Sequence, residues 1–188
     1  MTNRMDDLDR ALNEVSASSA GGAPFLIAYG LTFLITAILS FFLPKPIVAL
    51  VALFQGSVAL PLALWLERRL GTRPMAPDNP LRSLSGQMAV SQVLALPALI
   101  VAYSLNPGAV PVVLASLGGV HFLPYAWLHR THVYIGFAIA TSLGAFLLQL
   151  LLGSEAFSYI LLYMAMAYGI TAPLVYKHAK SLTAVEVI

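Results

Sequence analysis

Six apolar runs, at residues 24–43, 47–66, 87–105, 109–128, 133–152 and 157–176, decide what this chain can become. Each is 19 or 20 residues long. At 1.5 Å per residue such a run, coiled as a helix, spans about 30 Å, the thickness of a bilayer's hydrocarbon core. A membrane-spanning strand would need only about ten residues alternating in polarity, whereas these runs are apolar on every face. In lipid the backbone groups must be satisfied within the segment, which selects helices. The expected fold class is therefore all-α integral membrane, with six transmembrane helices filling residues 24–176. Composition agrees. Hydrophobic residues make up 59% of the chain, charged residues 10%, and the mean hydropathy is +0.84. A soluble domain carries roughly a quarter of its residues as charges. The chain has no cysteine, which excludes disulfides, thiolate metal sites and cysteine nucleophiles.

The joints between runs are short and rich in Pro and Gly: Pro44-Lys45-Pro46, Asn106-Pro107-Gly108, and Gly153 to Ala156. Such residues stop one helix and turn the chain. One longer connection, residues 67–86, is the exception. The spacing predicts three hairpins. With both termini in the cytoplasm, nine basic residues (Arg4, Arg10, Arg68, Arg69, Arg73, Arg82, Arg130, Lys177, Lys180) face inward and only Lys45 faces out. That bias is the positive-inside pattern, and it accounts for the net charge of +2 without a nucleic-acid partner. Trp65 and Trp127 fall where an interfacial aromatic belt belongs. Residues 1–23 and 177–188 are then cytoplasmic. The first stretch is acidic (Asp6, Asp7, Asp9, Glu14), unlike a cleavable signal. Its Met5, Leu8, Leu12 and Val15 suit either a short amphipathic helix on the cytoplasmic surface or a frayed tail.

An internal repeat links the second and fourth runs. Gly56, Val58, Trp65, Leu66 and Arg68 recur as Gly118, Val120, Trp127, Leu128 and Arg130, all offset by 62 residues, with Pro61 and Pro124 displaced by one. Repeats in one orientation imply a pseudo-symmetry axis along the membrane normal, an arrangement found in transporters. The plainer reading is that every returning helix needs these residue types.

Polar side chains at depth are few. His121 lies eight residues before His129, about 12 Å inside the cytoplasmic boundary on a helix. An unpaired imidazole there is costly, so it should face the protein interior or a wet cavity. Tyr125 is its i+4 neighbour, and Pro124 breaks the hydrogen-bond ladder beside it. Two readings stand: a proton-sensitive or ligand-binding site, or a neutral histidine that only glues helices. His129 and His132, at the interface, read as solvated. Gln55, Gln87, Gln92 and Gln149 are placed to bond across helices, and Tyr29, Thr32, Thr36 and Ser40 form a hydroxyl stripe on the first run, which reads as a packing seam rather than a pathway. No metal site or cofactor is expected: Glu67 is the only carboxylate near these histidines, and a catalytic zinc needs three oriented ligands. No carboxylate sits at a depth to orient His121 as in a hydrolase triad, and no phosphate-binding glycine fingerprint occurs.

Asn79-Pro80-Leu81, followed by Gly119-Val120-His121-Phe122-Leu123-Pro124-Tyr125-Ala126-Trp127, resembles an uncharacterised family of small bacterial multi-pass membrane proteins. In that family an Asn-Pro-Leu loop precedes a Gly-Ala-His-Phe-Phe-Pro-Tyr-x-Trp-like segment. Val120 and Leu123 are mild apolar departures. The likeness is best from Asn79 to Gly136 and reaches most of the helical region in outline. It implies residence in the bacterial inner membrane and a role for His121 and Tyr125, without naming chemistry. His129 stands where the family often has another residue, which weakens any three-histidine metal site.

The functional expectation is a small-molecule transporter or channel-like protein. Its candidate ligand-binding residues are His121, Pro124, Tyr125, Gln55, Gln92 and His129, its ligand a small polar or lipid-like molecule, and its further partner a second copy of the chain. A structural or sensory role, or a membrane enzyme acting on a lipid or isoprenoid with His121 as general base, are the alternatives; catalytic residues are not assigned.

Overall fold

Prolines punctuate the helices. The computed structural model describes residues 2–71 and 74–185, and every regular element among them is helical. In order these are α1 (Thr2–Ser18), α2 (Ala23–Leu39), α3 (Lys45–Phe54), α4 (Gly56–Leu70), α5 (Arg82–Ser91), α6 (Leu96–Leu105), α7 (Val110–His121), α8 (Leu123–Leu128), α9 (Val133–Leu152) and α10 (Ala156–Val185). Pro24, Pro46, Pro97, Pro111 and Pro124 each fall in the first turn of a helix. There the missing N–H costs nothing and the fixed φ suits the start. Two apolar runs are therefore bent. The third breaks into a 3-10 turn at Val93–Ala95 ahead of Pro97, and the fourth breaks at Phe122 ahead of Pro124.

Five helical stretches are long and apolar enough to cross a membrane: Ala20–Leu39, Lys45–Leu70, Arg82–Leu105, Pro107–Leu128 and Val133–Leu182. Their extents differ from the apolar runs. The first helix stops at Leu39, short of the expected Leu43, where Ser40 and the turn before Pro44 take over. Α-helix α10 continues to Val185, through residues expected to form a tail from 177, because nothing after Pro173 interrupts its ladder. The expected fifth and sixth helices join into one helical run of 50 residues. Its two parts are nevertheless folded back on each other at Gly153, which takes φ 53 and ψ −121. The hydroxyl of Tyr163 on α10 donates to the Ala140 carbonyl on α9 at 2.7 Å, so the two helices run side by side.

Packing centres on α2, which lies against α10 and α4; α9 lies against both α10 and α7. Small residues permit the close seams. A Cβ on Gly119 would come within 2.8 Å of the Ala138 carbonyl, and one on Gly30 within 3.2 Å of Tyr168. The repeated second and fourth runs do not pack alike. The α4 half of the second lies on its hairpin partner α2, but the fourth takes most of its contact from α9. The third run is left peripheral. Val90, Val93, Leu94, Val101 and Leu105 are all exposed.

Α-helix α1 is seated on protein. Leu12 and Val15, from the expected apolar stripe, are buried against Leu81, Met88 and Leu128, while Leu8 is exposed. The connection after α4 holds it there. Asn79 Nδ2 donates to Glu14 Oε2 at 2.7 Å and to the Ala11 carbonyl at 3.2 Å, and Asn79 Oδ1 accepts the Leu81 N–H. Glu14 also accepts the Ala76 N–H. At the far side Arg130 reaches Asp9 at 3.5 Å and Asn13 at 3.3 Å. Between α1 and α2 the chain turns through three left-handed residues, Ala20, Gly21 and Gly22. A Cβ on Gly22 would lie 2.5 Å from the Tyr134 hydroxyl, and one on Gly21 2.7 Å from the Val175 carbonyl. Only glycine combines that backbone with that approach.

Candidate functional site

The bend at Phe122 turns the end of the fourth run inward and threads a row of rings through the bundle. His121 lies 5.3 Å from Tyr125, Tyr125 5.8 Å from His129 and 5.7 Å from Tyr134, centroid to centroid. Phe122 packs on Tyr125, Tyr134, Phe137 and Tyr168. Pro124 is exposed and contributes through the bend alone. Its ring offers no N–H to the carbonyl four residues back, and the Tyr125 N–H beside it bonds the Phe122 carbonyl in a tighter turn, at 3.1 Å.

His129 is buried, which corrects the expectation that its interfacial position leaves it solvated. The reason is α1. Ser16 Oγ, itself fully buried, lies 3.2 Å from His129 Nδ1. His178 Nε2 donates to the His129 carbonyl at 3.2 Å. Tyr134 is fully buried and donates to the Gly21 carbonyl at 2.6 Å. Burial pushes the His129 imidazole down to about 3, and the neighbouring His178 acts in the same sense. The ring is therefore neutral at physiological pH. His132 is exposed, so it does not share this stripe. Among the described residues no three His, Asp or Glu side chains are grouped to hold a metal ion.

His121 sits differently. It is half-buried, and its Nδ1 lies 3.1 Å from Ser91 Oγ. The Ser91 hydroxyl donates its one proton to the Met88 carbonyl at 2.7 Å. Ser91 thus bridges the imidazole and the backbone of its own helix. Next along the chain is Gln92, whose Oε1 is buried with no donor. Its Nε2 and the Tyr168 hydroxyl flank Gly118, 3.9 and 3.6 Å from where a Cβ would stand. Gln55 is 7% exposed, in the turn between α3 and α4, and its Oε1 also has no donor. Beside it, the Tyr29 hydroxyl approaches Gly56. Tyr29 is an electrostatic neighbour of both Tyr125 and Tyr168, and Glu67 of Tyr125. A third donorless oxygen, Gln149 Oε1, lies at the opposite end of α9, where its amide caps the helix through the Gly153 carbonyl.

The structure thus strings His121, Tyr125 and His129 together, sets Gln92 beside Tyr168, and puts Gln55 beside Tyr29. The hydroxyl stripe of the first run is spent mostly on its own backbone. Thr32, Thr36 and Ser40 each donate to a carbonyl of their own helix, leaving Tyr29 as the member that turns to the site. Ser91, Tyr134, Tyr168, Ser16 and His178 were not legible as site residues. Hydroxyls and a histidine scattered from residue 16 to residue 178 carry no local spacing signal, though the Gly21-Gly22 pair marks a place where something must come close.

No curated protein and no solved structure matches this chain. A family model matches residues 8–178, from α1 through to His178. The chain belongs to that family, a family of unknown function (DUF7010).

Proposed function

We propose that this protein is a small-molecule transporter or channel-like protein of the bacterial inner membrane. Its polar site lies on the bent fourth helix, lined by His121, Tyr125, Gln92 and Gln55. The observation that carries the reading is the pair of donorless, buried oxygens, Gln92 Oε1 and Gln55 Oε1. Leaving such an acceptor unpaired costs about 1–3 kcal/mol each, so a ligand bearing N–H or O–H groups would be held where the fold alone is unsatisfied. Tyrosine hydroxyls and the His121 imidazole supply further partners of both kinds.

In this reading the chain crosses the bilayer six times as three hairpins with both ends in the cytoplasm. The reversal at Gly153 supports the sixth crossing, and the nine-to-one distribution of basic residues supports the sidedness. A sensory role has one observation in its favour: the closed Ser16–His129–His178 contact that couples α1 to the bundle.

The test screens small polar metabolites for a rise in Tm of the purified protein, then measures uptake of each hit into proteoliposomes. The expected result is uptake above protein-free vesicles that falls at least about tenfold in Gln92→Leu, the loss of one buried hydrogen bond to ligand. Uptake indifferent to both Gln92→Leu and His121→Ala would overturn the reading.

A further inference from the structure

An apolar groove of 510 Å³ runs between α2 and α10, away from the polar site. Leu34, Gly30, Gly169, Pro173 and Tyr176 line it along its length, and Leu70, the last residue of α4, closes one end. It exists because glycines meet there. Gly30 lies against Tyr168, and a Cβ on Gly169 would meet nothing within 4 Å. Pro173 has no N–H to offer the Gly169 carbonyl, which opens α10 at mid-groove.

The end closed by Leu70 and Tyr176 is basic. Arg68 and Arg69 precede Leu70, and Lys177 and Lys180 follow Tyr176; all four are exposed. The Arg69 guanidinium stands over the Trp65 ring at 5.6 Å, and the Lys180 ammonium over the Tyr176 ring at 4.7 Å. Glu67 is the acid nearest this mouth in sequence, and it is half-buried beside Tyr125.

We infer that this groove is a binding site for one anionic phospholipid, its acyl chain lying between α2 and α10 and its phosphate held by Arg69 and Lys180. A hydrophobic slot alone would take any lipid. The cations at one end select a negative headgroup, as basic pockets between helices do on the cytoplasmic side of membranes. The groove follows α10 from Ala165 to Tyr176, about 16 Å, which is the depth of one leaflet's hydrocarbon and the reach of one acyl chain.

Trp65, beneath the Arg69 guanidinium that is to hold the phosphate, reports occupancy. The full chain carrying Trp127→Phe, reconstituted in phosphatidylcholine bilayers, is titrated with brominated phosphatidylglycerol or brominated phosphatidylcholine. Trp65 fluorescence is expected to be quenched by the anionic lipid at about tenfold lower mole fraction. Gly169→Leu fills the groove without a clash and leaves every charge in place; it should reduce that preference. Arg69→Gln with Lys180→Gln should abolish it. Equal quenching by the two lipids overturns the site. So does a preference untouched by Gly169→Leu, which would mean attraction to a basic surface only, and so does loss of quenching on raising the protein-to-lipid ratio, which would mean that a second copy fills the slot.

Discussion

His121 and His129 stand eight residues apart on one segment, and the fold treats them in opposite ways. Around His129 the polar groups are matched: Ser16 meets the ring, His178 meets its carbonyl, and Tyr134 meets Gly21. Around His121 the matching stops. The ring has Ser91, but Gln92 beside it and Gln55 farther off hold carbonyl oxygens with no donor. A completed network fixes a structure, and an incomplete one leaves a place for something else. The half built from α1 and the chain around it is a fastening; the half built on the bend is open for business with a ligand. The difference lies in partners rather than in residue type, since both are histidines within one short stretch of the chain.

Breaking the fastening should produce the largest effect. Gly22→Val forces a branched side chain into φ 81 and against the Tyr134 hydroxyl, and should cost about 3–4 kcal/mol, read as a fall in Tm of the detergent-solubilised protein. Asn79→Leu comes next. It removes the donor shared by Glu14 and Ala11 and strands the Leu81 N–H, at about 2–3 kcal/mol, and hydrogen exchange should quicken in residues 8–18 before it does in α9.

Acid should act on the same half, more mildly. Docked, the His129 imidazole is pushed down to about 3; released to water it returns to about 6.5. Between those values the released form binds a proton that the docked form excludes. The contribution is full above about 6.5 and shrinks as pH falls, by up to about 1.4 kcal/mol per unit. The groups facing the ring are His178, Tyr125 and Tyr134, with Ser16 as its hydrogen-bond partner. A spin label at exposed Leu8 should become more mobile from pH 7.5 to 5, and His129→Gln should flatten that profile. An unchanged profile in the variant would assign the acid response elsewhere.

The smallest effect sharpens the other half. Gln92→Leu removes a buried acceptor that the fold does not use, so stability should hold or rise by under about 1 kcal/mol while ligand-induced stabilisation disappears. A variant that loses stability and ligand response together would make Gln92 part of the fastening and erase the contrast.

Much of the architecture was legible because its causes are local. Run length, proline position and glycine joints each act within a few residues, and they mark the helices and the bend before Pro124. The merged run from Val133 to Leu182 was legible as two apolar stretches because Gly153 interrupts them. The seating of α1 was not legible. Glu14 and Asn79 are 65 residues apart, and Ser16 and His129 are 113 apart. Asn79 was visible only as part of a motif, and Ser16 carries no local signal of its own. The burial of His129 followed from those long-range contacts, so its position at the end of a span suggested water instead. The candidate site was half legible: His121, Tyr125, the glutamines and, in its hydroxyl stripe, Tyr29 stand out as polar residues in apolar company, whereas Tyr134 and Tyr168 read as ordinary aromatic residues until the helices are brought together.

The docking of α1 carries a consequence for how the molecule is made. Every partner that seats it is translated later: Ala76 and Asn79, then His129 and Tyr134, and near the end Val175, which crowds Gly21. Α-helix α1 is made before any of them, so its docking cannot be complete until the chain through Val175 has been synthesised. Its final seating is therefore a late step of folding.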